Sequence, residues 1–266
     1  MSISGYGMSP DLSKEFPNPT PGSAGIPKAL ESEVLIAPFN DIETSTAIIE
    51  QHHDEIGAVI METMQRLITP QPGFLEAIRE VTKLYDIPLI FDEVVTGFRF
   101  SYGGAQQFYG VTPDLCAMGK IVGGGYPLSV IGGRSDIMDY FDQTHLAQGD
   151  WVPQLGTLNG NPIAATAGLA TLKVLREPDS YSKLFEKGKR LKQTLENLLD
   201  DAGISAKVMG EDCVFDVVFT EDEIVNYRSL QNTDAAKSKL FNLSLIHISE
   251  PTRRYAISYA VFCMKK

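Results

Sequence analysis

With 266 residues, 43% of them hydrophobic and 21% charged, the chain has the composition of a soluble globular protein that can bury a large core. Its formal net charge of −11 argues against non-specific nucleic-acid binding, which calls for a basic face. No apolar run approaches the length of a membrane span, so neither nucleic acid nor membrane is an expected partner. The opening stretch MSISGYGMSPDLSKEF has neither a basic patch nor a hydrophobic segment, and no secretory signal is expected. Cys116, Cys213 and Cys263 are widely spaced and form no C-x-x-C pair, which favours a reducing, cytoplasmic setting and no metal centre. His52 and His53 are expected on a helix surface without a metal.

The first 30 residues, rich in Pro, Gly and Ser, read as a loop-rich remnant. EVLIAPFND (33–41) reads as a strand, followed by a helix capped by Asp41 or Thr44. GAVIME forms the next strand. GFLEAIREVTKLYD (73–86) places Phe74, Ile78, Val81 and Tyr85 on one helical face. PLIFDEVV and PDLCAMGK (113–120) are two further strands, each nearly all apolar. Apolar strands separated by helices predict an α/β fold with a mostly parallel sheet covered by helices. Asn161 as N-cap and Pro162 at the first helical position open a helix over 161–177. A charged amphipathic helix follows, and AKVMGEDCVFDVVFT reads as a strand or hairpin that starts another region.

The last 24 residues differ in kind. Arg253, Arg254, Lys265 and Lys266 face Glu250 alone. The stretch closely resembles the conceptual translation of sequencing-adapter read-through, so genuine protein is expected to end near Asn242. The expected organisation is a remnant at 1–30, a partial cofactor-binding large domain at 31–177, a linker helix and the start of a small domain at 178–242, and a non-native tail at 243–266.

Three stretches carry chemistry. The first is the acid pair Asp92–Glu93 at the end of an apolar strand. Such a pair resembles a Walker B element, which makes an ATPase-like nucleotide-binding module the alternative reading. That reading needs a G-x-x-x-x-G-K-[ST] loop, and the chain has none. Asp92 can instead face a cofactor, while Glu93 stands evenly between a role and a plain surface acid. The second is GKIVGGGYPLS (119–129). Lys120, expected at the end of a buried strand, would lose its proton easily there and could form an imine. The three glycines after it would admit close backbone approach to a flat ligand. Asp92 and Lys120 fall at the carboxyl ends of successive strands, where open α/β sheets bind their ligands. A carboxylate and an imine-forming amine in one crevice suit pyridoxal phosphate. The third is GTLNGNP (156–162), in which Thr157 and free helix amides would suit a phosphate; ordinary helix capping is the competing reading.

LIFDEVVTGFRFSYGGAQQFYGVTPDLCAMGKIVGGGYPLSVIGGRSDIMD, with GTLNGNPIAATAGLATL, resembles the class-III pyridoxal-phosphate-dependent aminotransferases of fold type I. GFRFSYGGAQ favours the branch of glutamate-1-semialdehyde 2,1-aminomutase. The resemblance implies that Asp92 pairs with the pyridine nitrogen, Val94 packs on the ring and Lys120 forms the Schiff base. It also implies that Thr157 reaches the phosphate of a neighbouring subunit's cofactor in a homodimer with shared sites. The substrate would be a small amino compound with a keto or aldehyde partner. Three departures stand out. No Ser-Gly-Thr segment or ring-stacking aromatic precedes residue 30, the small domain is cut short, and Leu67 replaces the Asn that contacts the ring hydroxyl in aminomutases. Gln65 could supply a polar contact in its place, with a plain surface Gln as the competing reading. The chain thus reads as a fragment, itself expected to be inactive.

Overall fold

The computed structural model describes residues 16–21, 24–144 and 151–245. The expected tail beyond residue 245, and Cys263 with it, lies outside the described residues. Helix α1 (Ile42–Gln51) starts where the Asp41 carboxylate accepts the Thr44 N–H at 3.0 Å and its hydroxyl at 2.8 Å. Strand β1 (Val59–Glu62), helix α2 (Phe74–Leu84) and strand β2 (Leu89–Glu93) follow. Then come α3 (Gly104–Tyr109), β3 (Leu115–Met118), β4 (Val130–Gly133) and the single turn α4 (Ser135–Met138). Helix α5 (Pro162–Leu175) opens as the sequence predicts: Asn161 Oδ1 accepts the N–H groups of Ile163 and Ala164 behind Pro162. The long helix α6 (Ser180–Asp201) leads to the hairpin β5 (Lys207–Glu211) and β6 (Val214–Val218), then to α7 (Tyr227–Leu230) and α8 (Ala235–Ser244).

The main sheet has the order β1-β2-β3-β4. The first three strands run parallel, with Asp92 opposite Glu62 on one side and Ala117 on the other. Strand β4, not foreseen from the sequence, returns antiparallel to β3. Alternation along β2 sends Leu89, Phe91 and Glu93 to one face, all completely buried. Leu89 and Phe91 pack there with Ile49 of α1 and with Phe74, Ile78 and Val81 of α2. The other face is only partly covered. Ile90, Leu115, Ala117 and Ile131 line a cavity of about 330 Å³ closed by Tyr140 and Val152.

The expected strand at 33–41 does not form. A 3-10 helix (Lys28–Glu33) opens that stretch, and the extended residues after it join no ladder. The Ile36 N–H bonds the Pro17 carbonyl instead, and Pro38 has no N–H to donate. His52 and His53 fall just past the end of α1, where the His53 ring stacks on Tyr85 at 4.4 Å.

Helix α6 lies directly on the β5–β6 hairpin. Lys192 Nζ donates to the Gly210 carbonyl at 2.6 Å, and Leu199, Val208, Val217 and Phe219 form a small core. Several links tie this part to the main sheet, among them the Tyr181 hydroxyl, which donates to the Phe98 carbonyl at 3.0 Å. The Tyr109 hydroxyl donates to Glu211 at 3.0 Å, and Phe108 stacks on Phe185 at 5.6 Å. Asn40 supplies another. Its amide donates to the Thr69 and Val225 carbonyls, both at 2.9 Å, and its oxygen accepts the Gln71 N–H at 2.8 Å.

The starting ends of the strands are clipped by Asp114. Its carboxylate accepts the Leu89 N–H at 2.8 Å, Arg79 Nη1 at 2.6 Å and Arg134 Nη1 at 3.1 Å. Burial alone would raise its pKa, but the Leu89 N–H and the two guanidinium groups outweigh burial and hold it below the usual carboxylate range. A carboxyl with a depressed folded-state pKa contributes stability that is present above its unfolded pKa, near 4, and lost as pH falls through the folded value. Replacing Asp114 with Ala strands one buried N–H and the Arg79 guanidinium, while Arg134 keeps Asp136, and is expected to lower the unfolding free energy by about 2–4 kcal/mol. Urea unfolding at pH 7 measures that loss. Repeated at pH 3, it should show a smaller difference between Asp114→Ala and the parent.

Candidate active site

The carboxyl ends of β1, β2 and β3 form one edge, and backbone strain concentrates there. Among the described residues seven non-glycines have positive φ, and four of them follow these three strands. They are Arg66 (53°) and Leu67 (68°) after β1, Phe98 (58°) after β2 and Lys120 (51°) after β3. Arg66 and Leu67 are the central pair of a tight turn closed by Gln65 and Ile68, which exchange N–H···O bonds of 3.0 and 2.8 Å. Turns of this hand favour Asn and Gly because side chains at positive φ cost of order 1 kcal/mol each. Such strain gathers where a surrounding structure holds a chain in a working shape.

Asp92 ends the partly covered face of β2. Its Oδ1 accepts the Val94 N–H at 3.0 Å, and no described residue donates to Oδ2. Val94 then lies against Gly119: a Cβ on Gly119 would touch Val94 Cγ1 at 3.4 Å. Lys120 comes next. Strand β3 stops at Met118, and Lys120 starts a 3-10 helix (Lys120–Gly123). Its side chain is exposed rather than buried at a strand end, and no described residue forms a hydrogen bond or ion pair with its amine. The structure therefore brings Asp92, Val94 and Lys120 to one edge. Thr157 lies apart, in the exposed loop 152–160 that leads into α5.

Among the glycines after Lys120, Gly124 serves a neighbour within the chain. Helix α5 packs on the 3-10 helix so closely that a Cβ on Gly168 would overlap the Val122 carbonyl oxygen. Gly124 would likewise meet the Ala167 carbonyl oxygen at 2.7 Å. Close approach to a helix, not to a ligand, accounts for Gly124.

Glu93 is no surface acid. It is completely buried on the opposite face from Asp92. Its Oε2 accepts the Ala105 N–H at 2.6 Å and the Thr96 hydroxyl at 3.3 Å; its Oε1 accepts the Gln106 N–H and Nε2, both at 3.1 Å. Burial raises the Cys116 thiol pKa and the charge of Glu93 adds to it, with a hydrogen bond to Gln106 opposing both. The signal for Glu93 lay in the period of two that already placed Leu89 and Phe91 in the core. Leu67 packs with Met64, Phe100 and Ala105 in an apolar cluster shared with Phe185 and Val214.

The amine of Lys120 suits a carbonyl, and the open oxygen of Asp92 suits a protonated ring nitrogen. Both fit pyridoxal phosphate. The comparisons decide the family. The class-III aminotransferase model matches residues 3–239. The chain belongs to the class-III aminotransferases. It is 41% identical to glutamate-1-semialdehyde 2,1-aminomutase of Thermodesulfovibrio yellowstonii over 229 residues, 85% of this chain and 52% of that protein. Among solved structures it is similar to an omega-transaminase from Sphaerobacter thermophilus, with 38% identity, a TM-score of 0.77 and coverage of 85% of this chain and 51% of the other. It is also similar to a structure described as a transaminase with PLP bound, at 28% identity and a TM-score of 0.70, covering 77% of this chain and 48% of that one. The fold is that of the PLP-dependent transaminases. The chain spans about half the length of the curated relatives it matches.

The contact between α5 and the Lys120 turn gives a direct test. In an unconstrained helix Gly→Ala stabilises by about 1 kcal/mol. At Gly168 the new methyl meets a backbone carbonyl that cannot rotate away, and overpacking of about 1–3 kcal/mol should reverse the sign. Gly168→Ala is expected to lower the thermal unfolding midpoint; a raised midpoint would show that α5 does not press on the turn.

Proposed function

We propose that this chain carries part of the active site of a pyridoxal-phosphate-dependent enzyme that moves an amino group, between donor and acceptor or within one molecule. The observation that carries the reading is the parallel register of β2 and β3, which sets Asp92 and Lys120 at neighbouring strand ends with Val94 against Gly119 between them. When bound, pyridoxal phosphate supplies an electron sink for the pair left at the substrate's α-carbon, provided its pyridine nitrogen stays protonated. Asp92 Oδ2, to which no described residue donates, would hold that proton by accepting it in a charge-assisted hydrogen bond. Lys120 Nζ would hold the cofactor through its carbonyl, and as a free amine it could take a proton from the substrate's α-carbon and return it. Val94 offers an apolar wall for the ring.

Residues 31–177 would then be the cofactor-binding part, and 178–242 the linker helix and start of a small domain. Thr157 would reach the phosphate of a second subunit. Its exposure, with Leu155 and Leu158 bare on either side, supports a homodimer in which this loop is covered. The similarity to an aminomutase and to an omega-transaminase supports small amino and carbonyl compounds as substrates. The family match offers nothing to the alternative of an ATPase-like module.

The test is chemical. The purified chain is incubated with pyridoxal phosphate, reduced with borohydride, digested and mapped by mass spectrometry. The label is expected on Lys120 and should vanish in Lys120→Ala. Asp92→Asn, which cannot hold the ring proton ionically, should weaken cofactor retention at least about tenfold, the size of one charge-assisted hydrogen bond. A label on another lysine, or none, overturns the assignment.

A further inference from the structure

Asp92 and Glu93 are consecutive residues on opposite faces of β2, and only Asp92 has a part in the proposed chemistry. Yet Glu93 makes the denser set of bonds. Its side chain is 0% exposed and takes four donors, and its own carbonyl accepts the Gly97 N–H at 2.8 Å. The network extends further. Thr63, completely buried just past β1, donates its hydroxyl to the buried Thr96 hydroxyl at 3.3 Å, and Thr96 donates to Glu93. On the other side the carboxylate seats the first turn of α3. Gly104 stands there at φ 77°, and any Cβ on it would overlap Glu93 Oε2. One buried acid therefore joins the segment after β1, the turn after β2 and the start of α3, and the chain makes room for it with a glycine in a left-handed conformation.

We propose that Glu93 is a positioning residue: through Thr96, Thr63 and the α3 amides it fixes the turn after β2 and thereby the aim of the Asp92 carboxylate. The physical link is short. The Val94 N–H that orients Asp92 Oδ1 belongs to the turn that Glu93 pins at Thr96 and Gly97. A carboxylate is suited to the task because all four partners are donors. An amide side chain of the same shape would turn an N–H toward another N–H and leave a buried donor unmatched. The part of the proposal that concerns Asp92's ligand rests on the cofactor reading above; the part that concerns the turn does not.

Amide hydrogen exchange on the purified chain separates the two. In Glu93→Gln, exchange over residues 94–106 is expected to rise about tenfold or more while α2, residues 74–84, keeps its protection, because loss of a local anchor opens a local unit. Thr96→Val should give the same pattern at smaller size. A uniform rise that includes α2 would mark Glu93 as a general stability residue and overturn the proposal; so would unchanged exchange over 94–106. The second readout is pyridoxal phosphate titration by absorbance. Glu93→Gln should bind about tenfold more weakly, the cost of one misaimed ionic hydrogen bond, with borohydride still labelling Lys120. Unchanged affinity with loosened 94–106 would overturn the claim that Glu93 sets the aim of Asp92. A parent chain labelled elsewhere than Lys120 would instead sink the cofactor reading and leave the exchange result to decide the turn.

Discussion

A carboxylate shut away from water must find every partner inside the protein, and the segments that supply those partners lose their freedom together. Glu93 imposes that constraint here. Its four donors come from the turn after β2 and from the first turn of α3, and through Thr96 it reaches Thr63 after β1. The edge of the sheet is thus fixed from behind. At the opposite ends of the strands Asp114 does the same with Arg79, Arg134 and the Leu89 N–H. The β2–β3 pair is held by a buried or nearly buried acid at each end, with the Leu89–Phe91 core between them.

Much of this was legible in the sequence, for reasons that can be named. The helices α2, α5 and α6 follow from apolar periodicity and from Asn161–Pro162 capping. The strands β1, β2 and β3 follow from short apolar runs ended by Gly or acid. Asp92 and Lys120 were placed at one edge because parallel strands carry their carboxyl ends together; Val94 came from the family resemblance alone. What escaped was non-local. Strand β4 is Val-Ile-Gly-Gly, too short and glycine-rich to announce itself, and it exists because β3 offers it a ladder. The stretch 33–41 has strand-like composition but finds no neighbour. Lys120 was expected within a buried strand end; the strand stops two residues earlier, and the chain turns outward into a 3-10 helix. Glu93 was weighed as half of an acid pair, although its place two residues beyond Phe91 put it on the core face.

The partly covered face of the main sheet sits well with a chain that matches about half of each relative. Ile90, Leu115, Ala117 and Ile131 present apolar surface on the side where Asp92 ends, and only the short segment around Tyr140 and Val152 closes over it. Leu155 and Leu158 stand bare nearby in sequence. By contrast α1 and α2 seal the other face with a continuous core. Glu93 lies on the sealed face and Asp92 on the open one.

The left-handed backbone at Lys120 carries a conformational cost that glycine would not. An L-residue there is less comfortable than glycine would be, and three glycines lie immediately downstream as evidence that this stretch tolerates them. Selection for heat tolerance alone would favour glycine at position 120 and remove the amine on which the proposed chemistry rests. Under the proposed chemistry, stability and function pull this single residue in opposite directions.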